Sequence, residues 1–518
     1  MNQRRNGRRR GIIRAVGAAA AALLAVSLAA CVPFPLGAKT SDTSTPVQEQ
    51  VAPQLKPFYR QKLVWNDCAK GMQCTTVKAP LEWASPSVGT VELALIRQPA
   101  KGKKLGSLLV NPGGPGGSGY DFVRDSVDYA TDAKLQSSFD IVGFDPRGVG
   151  RSSAVKCYGA QKMDHYLYDI TPGIRGSDAW IAAQKKSSTD FGAACKQNTG
   201  PLLGQVDTVS AAHDLDLMRA VLGDKKLDYL GYSYGTYLGA TYAGLYPKKV
   251  GRMVLDGALD PAATNFDVTE VQSKGFESAL RAYLADCLKN GQNCPFTGTV
   301  ADGMTTIKAL LASVEQSPIR NSDGRELGAN TLVTAIIYPL YDANSWKYLS
   351  DMFAQVMQGD ASYAFQLADG YNDRSANGTY KSNSTEAFTA INCLDYRYDD
   401  NPAVMRHQAA ELTAAAPVIG PYMAYGDIGC ATWPYTSTAT RAPIHASGAA
   451  PIVVVGTTND PATPYVWAKN LASELDSGHL VTYHGQGHTA YNKSNACVNN
   501  AVDAYLVSGT VPTTDPMC

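Results

Sequence analysis

Short apolar runs followed by turns rich in glycine, proline or polar residues recur along the chain and predict buried strands. Examples are Leu108–Val110, Leu227–Leu230, Pro451–Gly456 and Leu480–Tyr483. From residue 58 to about 260 these runs alternate with helical stretches, which predicts a parallel sheet with helices on both faces. Residues 261–445 read as helical, and residues 446–518 return to strand and helix. The pattern therefore predicts an α/β core with an inserted helical cap.

One of these runs leads into the sequence Gly231-Tyr232-Ser233-Tyr234-Gly235, after which small residues recur. The run predicts a strand, and the small residues predict a helix that packs closely on it. A G-x-S-x-G between a strand and a helix is the pattern of a nucleophile elbow, with Ser233 at its apex. The flanking glycines permit the strained turn. A tight glycine turn with an ordinary capping serine is the alternative.

A serine nucleophile needs a base, and the base needs an acid to orient it. Asp460 follows the strand Pro451–Gly456, and His488 follows the next strand in a loop with two glycines. We therefore expect Asp460 as the acid and His488 as the base. Their rivals are Asp256, a strand-end residue that we expect to cap backbone amides, and His484. The other histidines lack this strand-then-glycine context: His165, His213, His407, His445 and His479.

A glycine-rich loop, residues 111–119 (NPGGPGGSG), follows the strand Leu108–Val110 and predicts an oxyanion hole. Its backbone N–H groups are not screened by side chains. We expect the amides of Tyr234 and Gly114 to bind the oxyanion, with Gly113 as the fallback. A phosphate-binding loop is disfavoured because no G-K-[ST] ending is present and two prolines remove amides.

The motifs NPGGPGGSG, FDPRGVGRS, GYSYG, NDPATP and GQGH, in this order, resemble the tripeptidyl aminopeptidase branch of the α/β-hydrolase serine peptidases. That branch is related to the proline iminopeptidases and includes exported lipoproteins of actinobacteria. The resemblance covers nearly all of the chain after about residue 58. It implies an α/β-hydrolase fold with Ser233 as nucleophile, Asp460 as acid and His488 as base.

The N-terminus has the pattern of a targeting segment. Six arginines precede an alanine-rich apolar run that ends Leu28-Ala29-Ala30-Cys31, which resembles a bacterial lipobox with Cys31 as the lipidated residue. A plain secretory signal is the alternative. Residues 32–57 are rich in Thr, Ser, Pro and Gln and predict a flexible stalk. The predicted organisation is therefore signal peptide 1–31, stalk 32–57, core 58–260, cap 261–445 and core 446–518.

Charge and cysteine content refine this picture. The chain of 518 residues has 46 basic and 46 acidic residues. Because six arginines lie in the signal region, the remainder is mildly acidic, which argues against nucleic acid as a partner. Ten cysteines besides Cys31 suggest five disulfides in an exported chain. The sequence does not fix their pairing, and pairing of nearest neighbours is our prediction: Cys68–Cys74, Cys157–Cys195, Cys287–Cys294, Cys393–Cys430 and Cys497–Cys518. A zinc site is the alternative, but no C-x-x-C pair supports it.

These features predict an exported, lipid-anchored serine peptidase that acts on peptides or proteins and removes short peptides, such as tripeptides, from free N-termini. An aminopeptidase needs a carboxylate for the substrate ammonium. Asp395 is our candidate, ahead of Glu270, Glu277 and Glu386. We expect no metal and no organic cofactor. An esterase or lipase is the alternative, and a non-catalytic envelope protein on the same scaffold is a third possibility.

Overall fold

The computed structural model describes residues 42–291, 293–512 and 514–518. The predicted signal peptide, Cys31 and the first part of the predicted stalk therefore lie outside the described residues. The described residues form a ten-stranded sheet flanked by helices, and a mainly helical segment is inserted before the last two strands.

The sheet is mixed, with an antiparallel edge and a parallel centre. Its strands are β1 (Asp42–Thr43), β2 (Val64–Ala69), β3 (Met72–Pro80), β4 (Thr90–Gln98), β5 (Gly106–Asn111), β6 (Phe139–Phe144), β7 (Leu227–Tyr232), β8 (Val250–Asp256), β11 (Ile452–Asn459) and β12 (Gly478–Gln486), and β9 (Ile319–Arg320) and β10 (Glu326–Leu327) form a separate hairpin. The strand order is β1-β2-β3-β4-β6-β5-β7-β8-β11-β12. Strands β1 to β4 pair antiparallel, β4 pairs antiparallel with β6, and the strands from β6 to β12 pair parallel.

The helices of the core and of the inserted segment are numbered together in chain order. Those before the insertion are α1 (Lys56–Tyr59), α2 (Gly119–Ala130), α3 (Ala133–Ser138), α4 (Ala160–Tyr168), α5 (Asp178–Thr199), α6 (Thr208–Leu222) and α7 (Tyr234–Leu245). The insertion holds α8 (Asn265–Asn290), α9 (Val300–Gln316), α10 (Ala329–Leu340), α11 (Trp346–Val356), α12 (Ser362–Tyr371), α13 (Ser384–Asp395), α14 (Pro402–Ala415), α15 (Gly420–Met423) and α16 (Ile428–Ala431). The last two are α17 (Tyr465–Glu474) and α18 (Ala496–Asp503).

The parallel strands are buried on both faces, which is why they read as continuous apolar runs. Every residue of β5 and of β6 is buried. Successive side chains of a strand point to opposite faces. Accordingly, Leu109 joins the apolar cluster that contains α6 and α7, whereas Leu108 and Val110 join the cluster that contains α2 and α18. This two-sided burial fixes the sheet, and with it the edge that carries the site.

The segment between β8 and β11 has its own apolar cluster, formed mainly by α8 to α12. Its largest members include Phe276, Tyr283, Phe353 and Phe365. The structure thus has the predicted architecture of an α/β core with an inserted helical cap. We use "cap" below for α8 to α16 and their connections.

The prediction of a flexible stalk is wrong from Asp42 onward. β1 pairs with β2 at the edge of the sheet, and the Val47 N–H donates to Ala220 O at 2.8 Å. Glu49 accepts from Arg219 at 2.9 Å and from Lys249 at 2.7 Å. Two features hold this polar segment. The buried Arg219 guanidinium needs carboxylate partners, and the edge strand β2 has backbone groups that β1 can pair with.

The ten cysteines are joined in the five nearest-neighbour pairs. One of these, Cys393–Cys430, ties α13 to α16 within the cap. Among the residues that the structure describes, no helix combines the length and the hydropathy needed to cross a membrane.

Candidate active site

Ser233 lies at the turn between β7 and α7, in a strained backbone conformation. Its φ is 56° and its ψ is −126°. A conformation of this kind costs about 1–3 kcal/mol for a residue with a side chain, and it persists only where the surroundings enforce it. The Ser233 N–H donates to Asp256 O at 2.9 Å, which anchors the turn to β8. Ser233 is partly exposed, whereas its neighbours Tyr232 and Tyr234 are buried.

The structure brings Asp460 and His488 into direct contact. His488 Nδ1 is 2.9 Å from both carboxylate oxygens of Asp460. Asp460 is fully buried, and the His488 side chain is 12% exposed. Asp460 also accepts from the Ala462, Thr463 and Thr489 N–H groups and from the Thr463 hydroxyl. These donors fix the carboxylate, so Nδ1 of His488 is the protonated nitrogen and Nε2 is left for a reacting group.

Ser233 and His488 both lie near the end of β8. The Ser233 N–H donates to Asp256 O, and the next residue, Gly257, faces the imidazole. A Cβ at Gly257 would lie 3.3 Å from His488 Cε1. No hydrogen bond joins Ser233 to His488 among the described residues. Bonds between nucleophile and base are often long without substrate and shorten when it binds.

Asp256, the rival acid, has a different set of partners. Its carboxylate accepts from the Ala490 N–H at 3.0 Å and from the Tyr491 N–H at 2.8 Å. It is completely buried, and this burial raises the pKa of the carboxyl. Asp256 thus holds the chain just after His488 through backbone amides and does not contact the imidazole through a hydrogen bond.

The glycine-rich loop of residues 111–119, called the oxyanion loop below, packs directly against the turn that carries Ser233. A Cβ at Gly113 would lie 2.8 Å from Ser233 Cβ and 3.0 Å from Tyr234 N, so only glycine fits there. The Gly113 N–H already donates to Asn111 Oδ1 at 2.9 Å. This bond removes Gly113 as an oxyanion donor and favours the amide of Gly114, together with that of Tyr234.

Asp145 holds this loop through hydrogen bonds. It accepts from the Ser118 hydroxyl, from the Tyr120 N–H at 3.1 Å and from the Arg151 N–H at 2.7 Å. Asn383 of the cap donates to Gly148 O and accepts from the Gly150 N–H, both at 2.9 Å. Core and cap therefore both hold the segment behind the oxyanion loop.

The remaining histidines lie away from this arrangement. His479 and His484 lie within β12, before the loop that carries His488, and His484 is exposed. His213 is bonded to the Tyr246 hydroxyl, and burial lowers its pKa. Three others pair with surface carboxylates or backbone: His165, His407 and His445.

Asp395 is not placed to bind a substrate amine, in contrast to our prediction. It is 4% exposed, and its two oxygens accept from the Thr208 N–H at 2.9 Å and the Thr208 hydroxyl at 2.6 Å. Burial raises its pKa to about 7. The Thr208 hydroxyl also bonds the Tyr234 hydroxyl. Asp395 therefore fixes the start of α6 and the side chain that follows the nucleophile.

The other cap carboxylates differ in whether they already have partners. Glu277 is buried and accepts from the Val418 and Ile419 N–H groups, and Glu270 pairs with Lys274. Glu386 is partly buried and pairs with no cation among the described residues. Burial raises its pKa to about 7. Of the three, only Glu386 is a carboxylate in need of a charged partner.

Glu386 lies beside the oxyanion loop. It is in the first turn of α13, and that turn packs on the loop: a Cβ at Gly116 would lie 2.8 Å from Ser384 O and 2.9 Å from Phe388 N. Glu386 also lines a cavity of about 710 Å³ together with Gly116, Ser118 and Asn383. Glu386 is thus the cap carboxylate that lies at the Gly116–Ser118 part of the glycine-rich loop.

Among the described residues, no group of three or more His, Cys, Asp or Glu side chains is arranged to hold a metal ion. The site itself presents a serine on a strained turn, an imidazole bonded to a buried carboxylate, and backbone N–H groups of the glycine-rich loop. This set suits acyl transfer.

A strand-to-helix serine turn, with its acid and histidine after the following strands, defines the serine hydrolases of the α/β-hydrolase fold. Comparisons with known proteins name the family. A profile described as "TAP-like protein" matches residues 416–518. Serine protease Hip1 of Mycobacterium tuberculosis is 35% identical over 488 residues, which cover 89% of this chain and 92% of that protein. The chain belongs to the TAP-like family of α/β-hydrolases and is a serine hydrolase.

Two further relatives carry different activities in their names. Carboxylesterase B of Mycobacterium tuberculosis is 36% identical over 493 residues, which cover 92% of each chain. Tripeptidyl aminopeptidase of Streptomyces lividans is 30% identical over 472 residues, which cover 89% of this chain and 87% of that protein. The family thus includes proteins named as peptidases and as an esterase.

Sequence reasoning missed two residues of the site. Thr463 bonds both Asp460 and His488 Nδ1, the latter at 3.1 Å. Its place in the NDPATP motif, three residues after the acid, was a signal that could have found it. The Tyr341 carbonyl of the cap accepts from the His488 N–H. No sequence signal marks this residue, because it acts through its backbone carbonyl.

Proposed function

We propose that this protein is an exported serine peptidase that removes short peptides, such as tripeptides, from free N-termini. The observation that carries the chemistry is the pair of 2.9 Å contacts between His488 Nδ1 and the buried Asp460, next to a serine held at φ 56°. The aminopeptidase assignment draws on the family relatives and on the unpaired carboxylate of Glu386.

In this proposal Ser233 attacks the scissile carbonyl while His488 Nε2 accepts its proton. Asp460 holds the imidazole in the correct tautomer and stabilises the imidazolium that forms. The amides of Tyr234 and Gly114 bind the oxyanion of the tetrahedral intermediate. His488 then protonates the leaving amine, and water hydrolyses the acyl-enzyme in the reverse sequence of proton transfers.

Glu386 is our revised candidate for the substrate ammonium. A carboxylate with a raised pKa and no cation is stabilised when an ammonium binds beside it. Glu386 lines a cavity together with Gly116 and Ser118 of the loop that carries Gly114. An ammonium bound in this cavity would lie at the end of that loop away from Gly113.

An esterase is the second candidate, because a relative of similar identity is named Carboxylesterase B. The same nucleophile, base and oxyanion hole cleave esters, which are more reactive than amides. What separates the two functions is recognition of the free amine, so Glu386 is the residue on which the distinction depends.

The test is a comparison of kcat/KM for three matched substrates: a tripeptide amide with a free N-terminus, the same peptide acetylated, and a simple ester. We expect the free peptide to be cleaved at least tenfold faster than the acetylated one, the fold-change of a charge-assisted hydrogen bond of about 1.5–3 kcal/mol. Equal rates for the two peptides contradict the aminopeptidase. Ester cleavage with no peptide cleavage favours the esterase.

We further propose that the mature protein is anchored to the cell membrane by a lipid on Cys31. This proposal comes from the sequence alone. Cys31→Ser should release the protein from the membrane fraction while leaving kcat/KM unchanged, because residues from Asp42 onward are bonded to the core. Mass spectrometry of the mature N-terminus checks it, and an unmodified Cys31 or a mature N-terminus at another residue contradicts it.

A further inference from the structure

The base of the proposed triad is held by the cap as well as by the core. The His488 N–H donates to the Tyr341 carbonyl at 2.8 Å. The Tyr341 ring also meets the imidazole edge to face, with centroids 5.4 Å apart and an interplanar angle of 84°. Tyr341 therefore contacts both the backbone and the side chain of His488.

The Tyr341 carbonyl is available because α10 ends there. The last carbonyls of a helix have no partner within it, and Pro339 lies in the final turn of α10. The C-terminal end of a helix carries partial negative charge, which favours a nearby cation. The imidazolium that forms during acyl transfer is such a cation.

The close approach of the two segments requires glycine at position 487. Gly487 has a φ of +98°, and a Cβ there would lie 3.1 Å from Tyr341 O. A residue with a side chain would be strained at this φ, and its Cβ would push the His488 loop away from the Tyr341 carbonyl. The glycine before His488 has a structural role in this contact.

Tyr341 is itself fixed within the cap. Leu332, Ile336 and Leu340 of α10 are buried in the cap cluster, which also contains Phe365 of α12. The Tyr341 ring packs against Phe276 of α8, with ring centroids 5.6 Å apart. The position of the imidazole is therefore coupled to the packing of two cap helices.

We propose that Tyr341 is a positioning residue for His488, so that the cap helps to set the orientation of the base. The proposal rests on the proposed function, in which His488 is the base. It gives the cap a role in the chemical step besides any role in binding substrate. Displacement of α10 would move the base relative to Ser233 even with Asp460 in place.

The first test replaces the ring, with Tyr341→Leu. We expect kcat to fall about 10- to 100-fold with KM changed less than threefold, because a misplaced catalytic group lowers the rate of the chemical step. Labelling of Ser233 by a small fluorophosphonate, which has no peptide to bind, should slow by the same factor. Tyr341→Phe keeps the ring and the carbonyl and should restore most of the activity. Tyr348→Leu, at an exposed position of α11, is the matched control.

The second test changes the other side of the contact. Gly487→Ala should reproduce the loss in kcat and in labelling rate. Gly359→Ala is its control, because Gly359 has a φ of +82° and nothing within 4 Å of an added Cβ. In a His488→Ala background, Tyr341→Leu should cause no further loss, since the two residues act as a unit.

Three outcomes separate the possibilities. If Tyr341→Leu and Gly487→Ala keep wild-type kcat and labelling rates, the inference is overturned. If Tyr341→Leu raises KM alone, Tyr341 contacts substrate and does not position the base, which also overturns it. If His488→Ala itself stays active, the proposed function fails, and that result is distinct from a failure of the inference alone.

Discussion

The carboxylates at the catalytic edge of the sheet, where β8 and β11 end, and the carboxylate of Glu386 in the cap differ in their partners. At the edge, Asp460 is bonded by three backbone amides, one hydroxyl and the imidazole, and Asp256 is bonded by two backbone amides. In the cap, Glu386 is partly buried and has no cationic partner among the described residues. Its carboxyl has a pKa of about 7, raised by burial.

The proposed function accounts for this difference. A group that stabilises a transition state works best when its environment is fixed in advance, so its hydrogen bonds are completed within the protein. A group that selects a substrate must leave one interaction unmade until the substrate arrives. The cap therefore bears the cost of an unpaired carboxylate, and the catalytic edge does not.

The largest effect should come from the catalytic edge. Ser233→Ala and His488→Ala should each lower kcat by roughly 10⁴-fold or more, because each removes a group that changes bonds in the reaction. The double variant should be hardly less active than either single one. Steady-state assays with a free tripeptide amide check this. His484→Ala is the matched control, and an inactive His484→Ala beside an active His488→Ala would reverse the assignment.

A second experiment compares the two aspartates of the edge. Asp460→Asn should lower kcat by about 10³- to 10⁴-fold, because it favours the wrong imidazole tautomer. Asp256→Asn should stay within about tenfold of wild type, since its amide oxygen still accepts from the backbone behind His488 and limits misplacement of the base. The measurement is kcat for an ester and a peptide. A larger loss in Asp256→Asn than in Asp460→Asn would make Asp256 the acid.

The sequence was a good guide to the catalytic edge because each part of it carries a local signature. Ser233 follows a strand and precedes small residues, and Asp460 and His488 each follow a strand. Gly113 and Gly114 belong to a loop whose glycine-rich sequence, NPGGPGGSG, marks it clearly. The sheet then brings strand ends together by topology. Nearest-neighbour pairing of the cysteines also agrees with the structure.

The cap and the N-terminal segment were less predictable, for physical reasons. Asp395 and Glu386 lie at the two ends of one helix, and only tertiary contacts decide that Thr208 satisfies the first. The contact of Tyr341 with His488 is made by a carbonyl that every residue type possesses. Residues 42–57 have a composition typical of flexible linkers, but the contact of Glu49 with Arg219 and the pairing of β1 with β2 hold them in place.

A smaller effect is expected from the cap carboxylate. Glu386→Gln should lower kcat/KM for the free tripeptide about 10- to 100-fold, the fold-change of a lost charge-assisted hydrogen bond. Cleavage of the acetylated peptide and of the ester should change little. Asp395→Asn is the comparison variant at the other end of α13, and it should not alter the ratio of free to acetylated peptide. If Glu386→Gln leaves that ratio intact, Glu386 does not bind the ammonium.

The smallest effect is the pH dependence of this selectivity. Because burial raises the pKa of Glu386 to about 7, the free enzyme loses the carboxylate charge as the pH falls through 7. Preference for the free amine should then fall by about tenfold per pH unit below that value, where one proton neutralises the group. Above a pH of about 8 the substrate amine loses its own proton, so the preference should fall again.

The ratio of kcat/KM for free and acetylated peptides isolates the titration of Glu386 and of the substrate amine, because the titration of His488 affects both substrates equally. Glu386→Gln should flatten the acid side of the ratio, and Asp395→Asn, whose carboxyl also has a pKa of about 7, should not. A flat acid side in Asp395→Asn would return the amine site to that residue.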